Sequence, residues 1–330
     1  MPQVSVVVVN WNGRQLLEDC LGSLANQTFK DFETILVDNG SKDDSVNWVK
    51  ENYPGVKLIP LNENVGFSAG NNIGYQHSRG EFIALLNNDT KVRPEWLEAL
   101  YNRIKTDEKI AACDSLILYY DRPDSIWTAG GCYSIAGAVS PRLNSRPHNE
   151  AGCMPVEVFV AVACAAIYRR SVINEIGFFD EDYFNGYEDV DWSFRAHLFG
   201  YKISNEPTAI VHHKVSSSQV HNSPDFVYNG QRNVSATFIK NMPRRLLTKY
   251  LPLHLAYMAG SFLYFAKIGR AGDYLRAKWD LLCHLHDLWA KRRDIQNRRK
   301  ISEAELEDIL ERKWIWNKMG KYLNKDYKKG

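Results

Sequence analysis

The sequence predicts an α/β protein, a mostly parallel sheet with helices on both faces, and three observations carry that prediction. The run Val4-Ser5-Val6-Val7-Val8-Val9 is β-branched and polar only at Ser5, as expected of a central parallel strand buried on both faces. Short apolar runs then alternate with amphipathic stretches through the first third of the chain. Strands that alternate with helices pair in parallel through right-handed crossovers.

Each element follows in order. A helix is predicted over residues 14–25, where Leu16, Leu17, Cys20, Leu21 and Leu24 recur at helical spacing. Strand 32–37, helix 44–51, strand 56–59, helix 68–77, strand 82–86 and helix 95–105 continue the alternation. Beyond residue 110 the pattern loosens. Residues 111–119 read as a strand, the Gly/Ser-rich stretch 127–140 as loops or hairpins, and 156–168 as a buried strand. Helices are predicted over 170–176 and 189–199, the second stopped by Gly200. From Arg244 the pattern is helical, aromatic and basic.

The composition sets limits. An apolar fraction of 45% with 24% charged residues excludes a mainly disordered chain, and 330 residues suffice for one large domain with an appendage or two modest ones. The six cysteines, Cys20, Cys113, Cys132, Cys153, Cys164 and Cys283, contain no CxxC pair, which predicts reduced, buried thiols in a cytoplasmic protein. Met1-Pro2-Gln3-Val4 runs straight into the first strand and does not read as a targeting segment. The net charge of +2 conceals an asymmetry: residues 243–330 hold 20 basic and 10 acidic residues, leaving 21 and 29 for residues 1–242. An acidic body with a basic tail points to a tail that meets something anionic.

Ligands of an open parallel sheet bind at the carboxyl ends of its strands. The first four predicted strands are followed by Asn10-Trp11-Asn12-Gly13, Asp38-Asn39-Gly40-Ser41, Asn62-Glu63-Asn64-Val65-Gly66 and Asn87-Asn88-Asp89. Asn, Asp and Gly also make ordinary turns, but four consecutive strand ends rich in acceptors and amides describe a binding rim. No GxGxxG follows the first strand and no GxxxxGK[ST] occurs, which disfavours a dinucleotide-binding dehydrogenase or a P-loop NTPase. Asp38 is placed to accept hydrogen bonds from a base or ribose, and Asp89 offers the oxygen ligand that a divalent cation bridging a diphosphate requires.

Taken together, Val6-Val7-Val8-Val9-Asn10-Trp11-Asn12-Gly13, Val37-Asp38-Asn39-Gly40-Ser41, Asn64-Val65-Gly66-Phe67-Ser68-Ala69-Gly70-Asn71-Asn72 and Leu85-Leu86-Asn87-Asn88-Asp89-Thr90 resemble glycosyltransferase family 2, most closely its rhamnosyltransferase-like branch. The resemblance continues through Gly177-Phe178-Phe179-Asp180, Glu188-Asp189-Val190-Asp191-Trp192 and His213-Lys214-Val215-Ser216. It implies a GT-A fold over residues 1–242, with 1–110 binding the sugar nucleotide and 111–242 facing the acceptor, while by charge and helical pattern 243–330 reads as a basic amphipathic helical region. It also implies that Asp38 contacts the nucleobase and that Asn10, Asn12 and Asn39 line the nucleotide pocket, while Gly66, Phe67 and Asn71 pass close to the ribose and donor sugar. Asn87-Asn88-Asp89 stands where the family carries its DxD-type motif, with Asn87 in place of the first acid and Asp89 as metal ligand for Mg²⁺ or Mn²⁺. His213 completes the metal site in preference to His212. Asp189, with Glu188 beside it, is the general base. Acids in a first helical turn also serve the helix dipole, and Asp191 has Arg195 at i,i+4. Arg232 is expected either to neutralise the diphosphate or to form a surface ion pair. The Ser216-Ser217-Ser218 run reads either as a segment that closes over the donor or as a solvent loop.

The function so implied is inverting, metal-dependent transfer of a sugar, first of all L-rhamnose from dTDP-rhamnose, to a saccharide or lipid-linked saccharide in surface polysaccharide synthesis. A nucleotidyltransferase is disfavoured because Arg14 alone supplies basic charge behind the first strand. A non-catalytic binding protein working through the basic tail is the other alternative, and no nucleic-acid partner is expected. Residues 251–266 are apolar and aromatic but hold Pro252 and His254, too short a stretch to span a bilayer, which requires about 20 residues. With the surrounding Lys and Arg they read either as a surface lying on an anionic membrane, peripheral on its inner face, or as helices packed on the catalytic domain.

Overall fold

The computed structural model describes residues 1–215 and 222–312. The Ser216-Ser217-Ser218 run lies outside the described residues. The first half alternates as the sequence pattern requires: β1 (Val4–Asn10), α1 (Arg14–Ala25), β2 (Phe32–Asp38), α2 (Ser45–Asn52), β3 (Lys57–Pro60), α3 (Phe67–Gln76), β4 (Phe82–Asn87), β5 (Thr90–Val92) and α4 (Trp96–Lys105). Next come β6 (Ile110–Tyr119), β7 (Ile126–Thr128), β8 (Gly131–Tyr133), β9 (Val139–Pro141), β10 (Val156–Glu157), β11 (Ala165–Arg169), α5 (Arg170–Ile176), α6 (Glu188–Leu198) and β12 (Lys202–His213). Five helices follow: α7 (Pro224–Asn241), α8 (Arg244–Lys267), α9 (Ala271–Cys283), α10 (Leu285–Arg298) and α11 (Glu303–Ile309).

The main sheet runs β10-β12-β6-β11-β4-β1-β2-β3, with β5 paired to β12 and β7 to β6. Strands β1 to β4 are mutually parallel, whereas β11 is inserted antiparallel between β4 and β6. That reversal positions the site. Ala165 lies opposite Leu86, so the chain entering β11 arrives beside the carboxyl end of β4. The register also sets Asn10 opposite Asp38, and Val9 opposite Asn87, in one row along the rim.

Two sequence expectations are corrected. Residues 156–168 do not form one strand: β10 is two residues long and β11 begins only at Ala165. Between them the amides of Val158, Phe159 and Val160 donate to the carbonyls of Ile203 and Gly131. The next three are taken by side chains, with Ala161 N–H donating to Ser193 Oγ, Val162 N–H to Asp114 Oδ1 and Ala163 N–H to Asp189 Oδ2. A segment whose donors are bound this way has no ladder to join. The thiols also depart from expectation, since Cys20, Cys113 and Cys164 are buried but Cys153 and Cys283 are exposed.

The helical region after residue 242 shares the core of the sheet. Met242, Leu246, Tyr250, Ile295, Leu306 and Leu310 belong to the same buried cluster as Tyr133, Phe159 and Phe194. Arg292 caps the end of α7 by donating to the carbonyls of Ile239 and Met242, each at 2.5 Å. Lys291 reaches Asp180 at 2.5 Å and Asp182 at 2.7 Å. The described part of the tail is therefore packed on the sheet core through α8, α10 and α11, while Leu255 and Leu263 on α8 and Leu275 and Trp279 on α9 stay exposed. No helix among the described residues is long and apolar enough to cross a membrane.

Candidate active site

The carboxyl ends of β1, β2 and β4 are tied together by their own side chains. Asn10, fully buried, donates to Asp38 Oδ2 at 3.0 Å and accepts from Asn88 Nδ2 at 2.8 Å. Asp38 also accepts from Ser41 N–H at 2.9 Å and Ser41 Oγ at 2.7 Å. Ser41 Oγ in turn accepts from Asn12 N–H, and Asn12 Oδ1 from Lys42 N–H. Gly13 leaves room for this lattice, because a Cβ there would collide with the side-chain amides of Asn10 and Asn88. Asp38 is thus an organiser of the rim, its carboxylate already accepting three of the roughly four hydrogen bonds it can take.

The loop into α3 is fixed in the same manner. Asn39 donates to Asn64 Oδ1 at 2.9 Å and Gly66 O at 3.1 Å and accepts from Val65 N–H at 2.9 Å. Gly66 has φ +91, and a Cβ would run into Phe184 O. Phe67 N–H donates to that carbonyl at 2.8 Å, while Asn71 turns back onto Phe67 O at 2.9 Å. Gly66, Phe67 and Ser68 consequently meet the 183–187 loop that leads into α6, while Asn71 secures the first turn of α3.

At the end of β4, Asp89 is 2% exposed and its Oδ1 lies 3.1 Å from His213 Nε2 on β12. β5 aligns the two, pairing antiparallel with β12 so that Thr90 lies opposite His213. A nitrogen and a carboxylate oxygen at that separation suit two donors to one small cation, whose bonds run about 2.0–2.2 Å. Among the described residues, Asn87 Oδ1 and His213 Nδ1 are buried without a hydrogen-bond partner. No group of three or more His, Cys, Asp or Glu donors occurs among the described residues. A cation here would have two protein ligands and would take the rest from diphosphate and water, as Mg²⁺ commonly does. His212 faces the other side of β12, as alternation along a strand demands. Burial there lowers its pKa, and the charges of Arg93 and Lys91 lower it further.

Across the antiparallel β4–β11 step lies the second acidic group. Asn87 N–H donates to Cys164 O at 2.8 Å, and the preceding residue's amide, Ala163 N–H, donates to Asp189 Oδ2 at 3.1 Å. Asp189 Oδ1 accepts from Val190 N–H at 2.7 Å. Burial raises the Asp189 carboxyl against the three backbone hydrogen bonds, from Ala163, Val190 and Asp189 itself, that lower it, and the residue as a whole is half-buried. Glu188, 5% exposed and with Oε2 unpartnered among the described residues, is pushed well above the carboxylate range by burial and by the Asp189 charge. Asp191 behaves oppositely. Burial would raise it, but Lys240 at 2.8 Å and Arg195 at 2.9 Å hold it low.

Two groups escaped the sequence reading. Asp114 is fully buried in β6, raised well above the usual range by burial and by the Asp189 charge, and held by Val162 N–H at 3.0 Å. Its signal was a lone carboxylate inside the apolar strand Ile110–Tyr119. Ala163 contributes its backbone amide, for which a sequence carries no signal. Arg232 is directed elsewhere, to Asp280 at 2.5 Å and the Asp182 carbonyl at 2.9 Å.

The family profile described as Glycosyl transferase family 2 matches residues 5–177. EpsH of Bacillus subtilis, a glycosyltransferase by name, is 28% identical over 225 residues, 66% of this chain and 62% of EpsH, so the chain spans less than two thirds of that relative. The N-acetylglucosaminyl-diphospho-decaprenol L-rhamnosyltransferase of Mycobacterium tuberculosis is 27% identical over 239 residues, 64% of this chain and 76% of that protein. Among solved structures, GalNAc-T7 with UDP, GalNAc and Mn²⁺ overlays 99% of this chain and 58% of its own with TM-score 0.61 at 16% identity. The mannosyltransferase PcManGT of Pyrobaculum calidifontis, solved with GDP-Man and Mn²⁺, overlays 96% and 88% with TM-score 0.54 at 17% identity. At such identities the likeness speaks for the fold, a GT-A-type mixed sheet followed here by helices.

Proposed function

The chain belongs to glycosyl transferase family 2, and from that premise we propose that it transfers a sugar, with inversion, from a nucleotide diphosphate donor to a saccharide or lipid-linked saccharide acceptor. The observation that carries the proposal is the two-part rim. The Asp89–His213 pair and the Asp189 carboxylate are joined through consecutive residues, Ala163 and Cys164. One part suits a diphosphate and its cation, the other a hydroxyl group.

In this reading the nucleotide lies along the Asn10, Asn12, Asp38, Asn39 and Asn88 lattice, and the sugar faces Gly66 and Phe67. Asp89 and His213 would hold Mg²⁺ or Mn²⁺, which supplies Lewis-acid neutralisation of the diphosphate. Asp189 takes the proton of the acceptor hydroxyl as its oxygen bonds to the anomeric carbon from the face opposite the leaving group. The bond from that carbon to the diphosphate breaks, and its electron pair leaves on the phosphate oxygen. Burial and the Asp189 charge push the Glu188 carboxyl up, which opposes a second negative charge beside the base. Residues 1–242 carry this chemistry, and helices α8, α10 and α11 of the region that follows brace it. L-Rhamnose from dTDP-rhamnose is the first donor to test, supported by the mycobacterial relative's name and the motif resemblance.

Asp189→Asn tests the assignment. Donor binding measured by calorimetry should stay within about twofold, while transfer should fall on the order of 10²–10⁴-fold, the usual contribution of a positioned base. Transfer at the wild-type rate in this variant would remove Asp189 from the role.

A further inference from the structure

The surface of α8 and α9 has an arrangement that the transfer reaction does not use. On α8, Leu255 is 57% exposed and Leu263 68%, while Leu251 and Tyr264 also face solvent. On α9, Leu275, Trp279 and Leu282 recur at i, i+4 and i+7 and are 56%, 70% and 60% exposed. The two helices are packed together through Tyr274, whose hydroxyl donates to Met258 O at 2.8 Å, so their apolar stripes belong to one body. Scattered exposed apolar residues need no explanation, but two adjoining stripes do.

The charge around these stripes identifies what they fit. Arg244 and Arg245 are exposed at the start of α8 and Lys267 at its end, and no Asp or Glu occurs anywhere in residues 243–272. At 1.5 Å per residue, Arg244 and Lys267 lie about 35 Å apart along the helix, with the apolar stretch between them. A helix lying flat in a membrane interface places apolar side chains among acyl chains and basic ends among phosphates, with Trp and Tyr at the boundary. A second copy of the chain fits poorly, because an isologous contact through this face sets basic end against basic end.

We propose that the exposed faces of α8 and α9 form a seat for an anionic phospholipid surface, the helices lying in the interface plane without crossing it. The proposal goes beyond the transfer reading and does not depend on it.

The test is co-sedimentation of the full chain with phosphatidylcholine vesicles, with or without about 30 mol% phosphatidylglycerol, a content that gives a negative surface potential. The chain should pellet with the anionic vesicles and little with the neutral ones. Each of Arg244→Ala, Arg245→Ala and Lys267→Ala should weaken partitioning about fivefold. The double variant Leu263→Ser with Trp279→Ser should lose binding while its melting temperature stays at the wild-type value, since both side chains are exposed. Equal pelleting with both vesicle types, no pelleting with either, or retention of binding in the double variant would overturn the proposal. So would a concentration-dependent dimer in analytical ultracentrifugation that the double variant dissolves, which would assign the face to a second copy.

Discussion

At the scale of single residues, two carboxylic acids with raised pKa, Asp114 and Asp189, act on Cys164, whose own thiol is pushed well up by burial and by the charges of Asp89, Asp114 and Asp189. Glu188 beside Asp189 is a third raised acid. Of the three raised acids Asp114 and Glu188 are buried and Asp189 half-buried, so Asp189 is the one nearest to hand for an acceptor. The sign of its shift makes a prediction. A base must be deprotonated, so kcat/KM should fall as pH drops through the folded-state pKa, which burial sets above the ordinary aspartate value of about 3.9. A pH–rate profile of transfer should show an acidic limb above that value, absent from the residual activity of Asp189→Asn. A wild-type profile level down to pH about 4 would contradict the assignment. At this scale the sequence was informative about identity and less so about role. Asp89 stood out by its position after a strand and Asp189 by its place at a helix start, whereas His213 was implied by the family resemblance, and the structure sets Asp89 beside His213. Asp38 looked like a nucleotide contact, whereas its carboxylate is largely engaged by Asn10 and Ser41. Spacing along a chain does not say which way a side chain turns.

At the scale of elements, α6 matters because it presents Glu188 and Asp189 at its first turn, and α7 and α10 hold that turn in place. Lys240 on α7 is 1% exposed and bridges Asp180 at 2.6 Å and Asp191 at 2.8 Å, while Lys291 on α10 reaches Asp180 from the other side. Asn241 Nδ2 adds a bond to Asp191 Oδ1 at 2.7 Å. Removing Lys240 takes one of two cationic partners from each of two carboxylates inside a buried network, leaving Asp191 with Arg195 and Asp180 with Lys291. Lys240→Met should therefore cost about 3–5 kcal/mol in urea unfolding at neutral pH. A loss below about 1 kcal/mol, the range of exposed pairs, would mean the cluster is solvated in solution. Strands and helices of the first hundred residues were legible because periodicity reports burial. The reversal at β11 was not, since an apolar run reads the same in either direction and the three side chains that hold residues 161–163 come from β6 and α6.

At the scale of the whole molecule, one buried cluster runs from the sheet through α6 into the helices after residue 242. The charge asymmetry of the sequence marked where the tail begins, but its packing was not legible, because basic residues such as Arg292 and Lys291 act there as caps and ion partners inside the fold. The same body sets the Asn10, Asp38 and Asn88 rim at one end of the parallel strands and brings Asp89 beside His213, far apart in sequence. The central claim is that this rim binds a sugar nucleotide through a divalent cation. The measurement that tests it most directly is isothermal titration with dTDP-rhamnose, UDP-sugars and GDP-mannose, each with Mn²⁺, with Mg²⁺ and with chelator, for the wild type and Asp89→Ala. The account predicts binding of one sugar nucleotide that needs the cation and weakens at least about tenfold, roughly 1.4 kcal/mol, in the variant. Binding that is equally tight with chelator, or unchanged by Asp89→Ala, would contradict it.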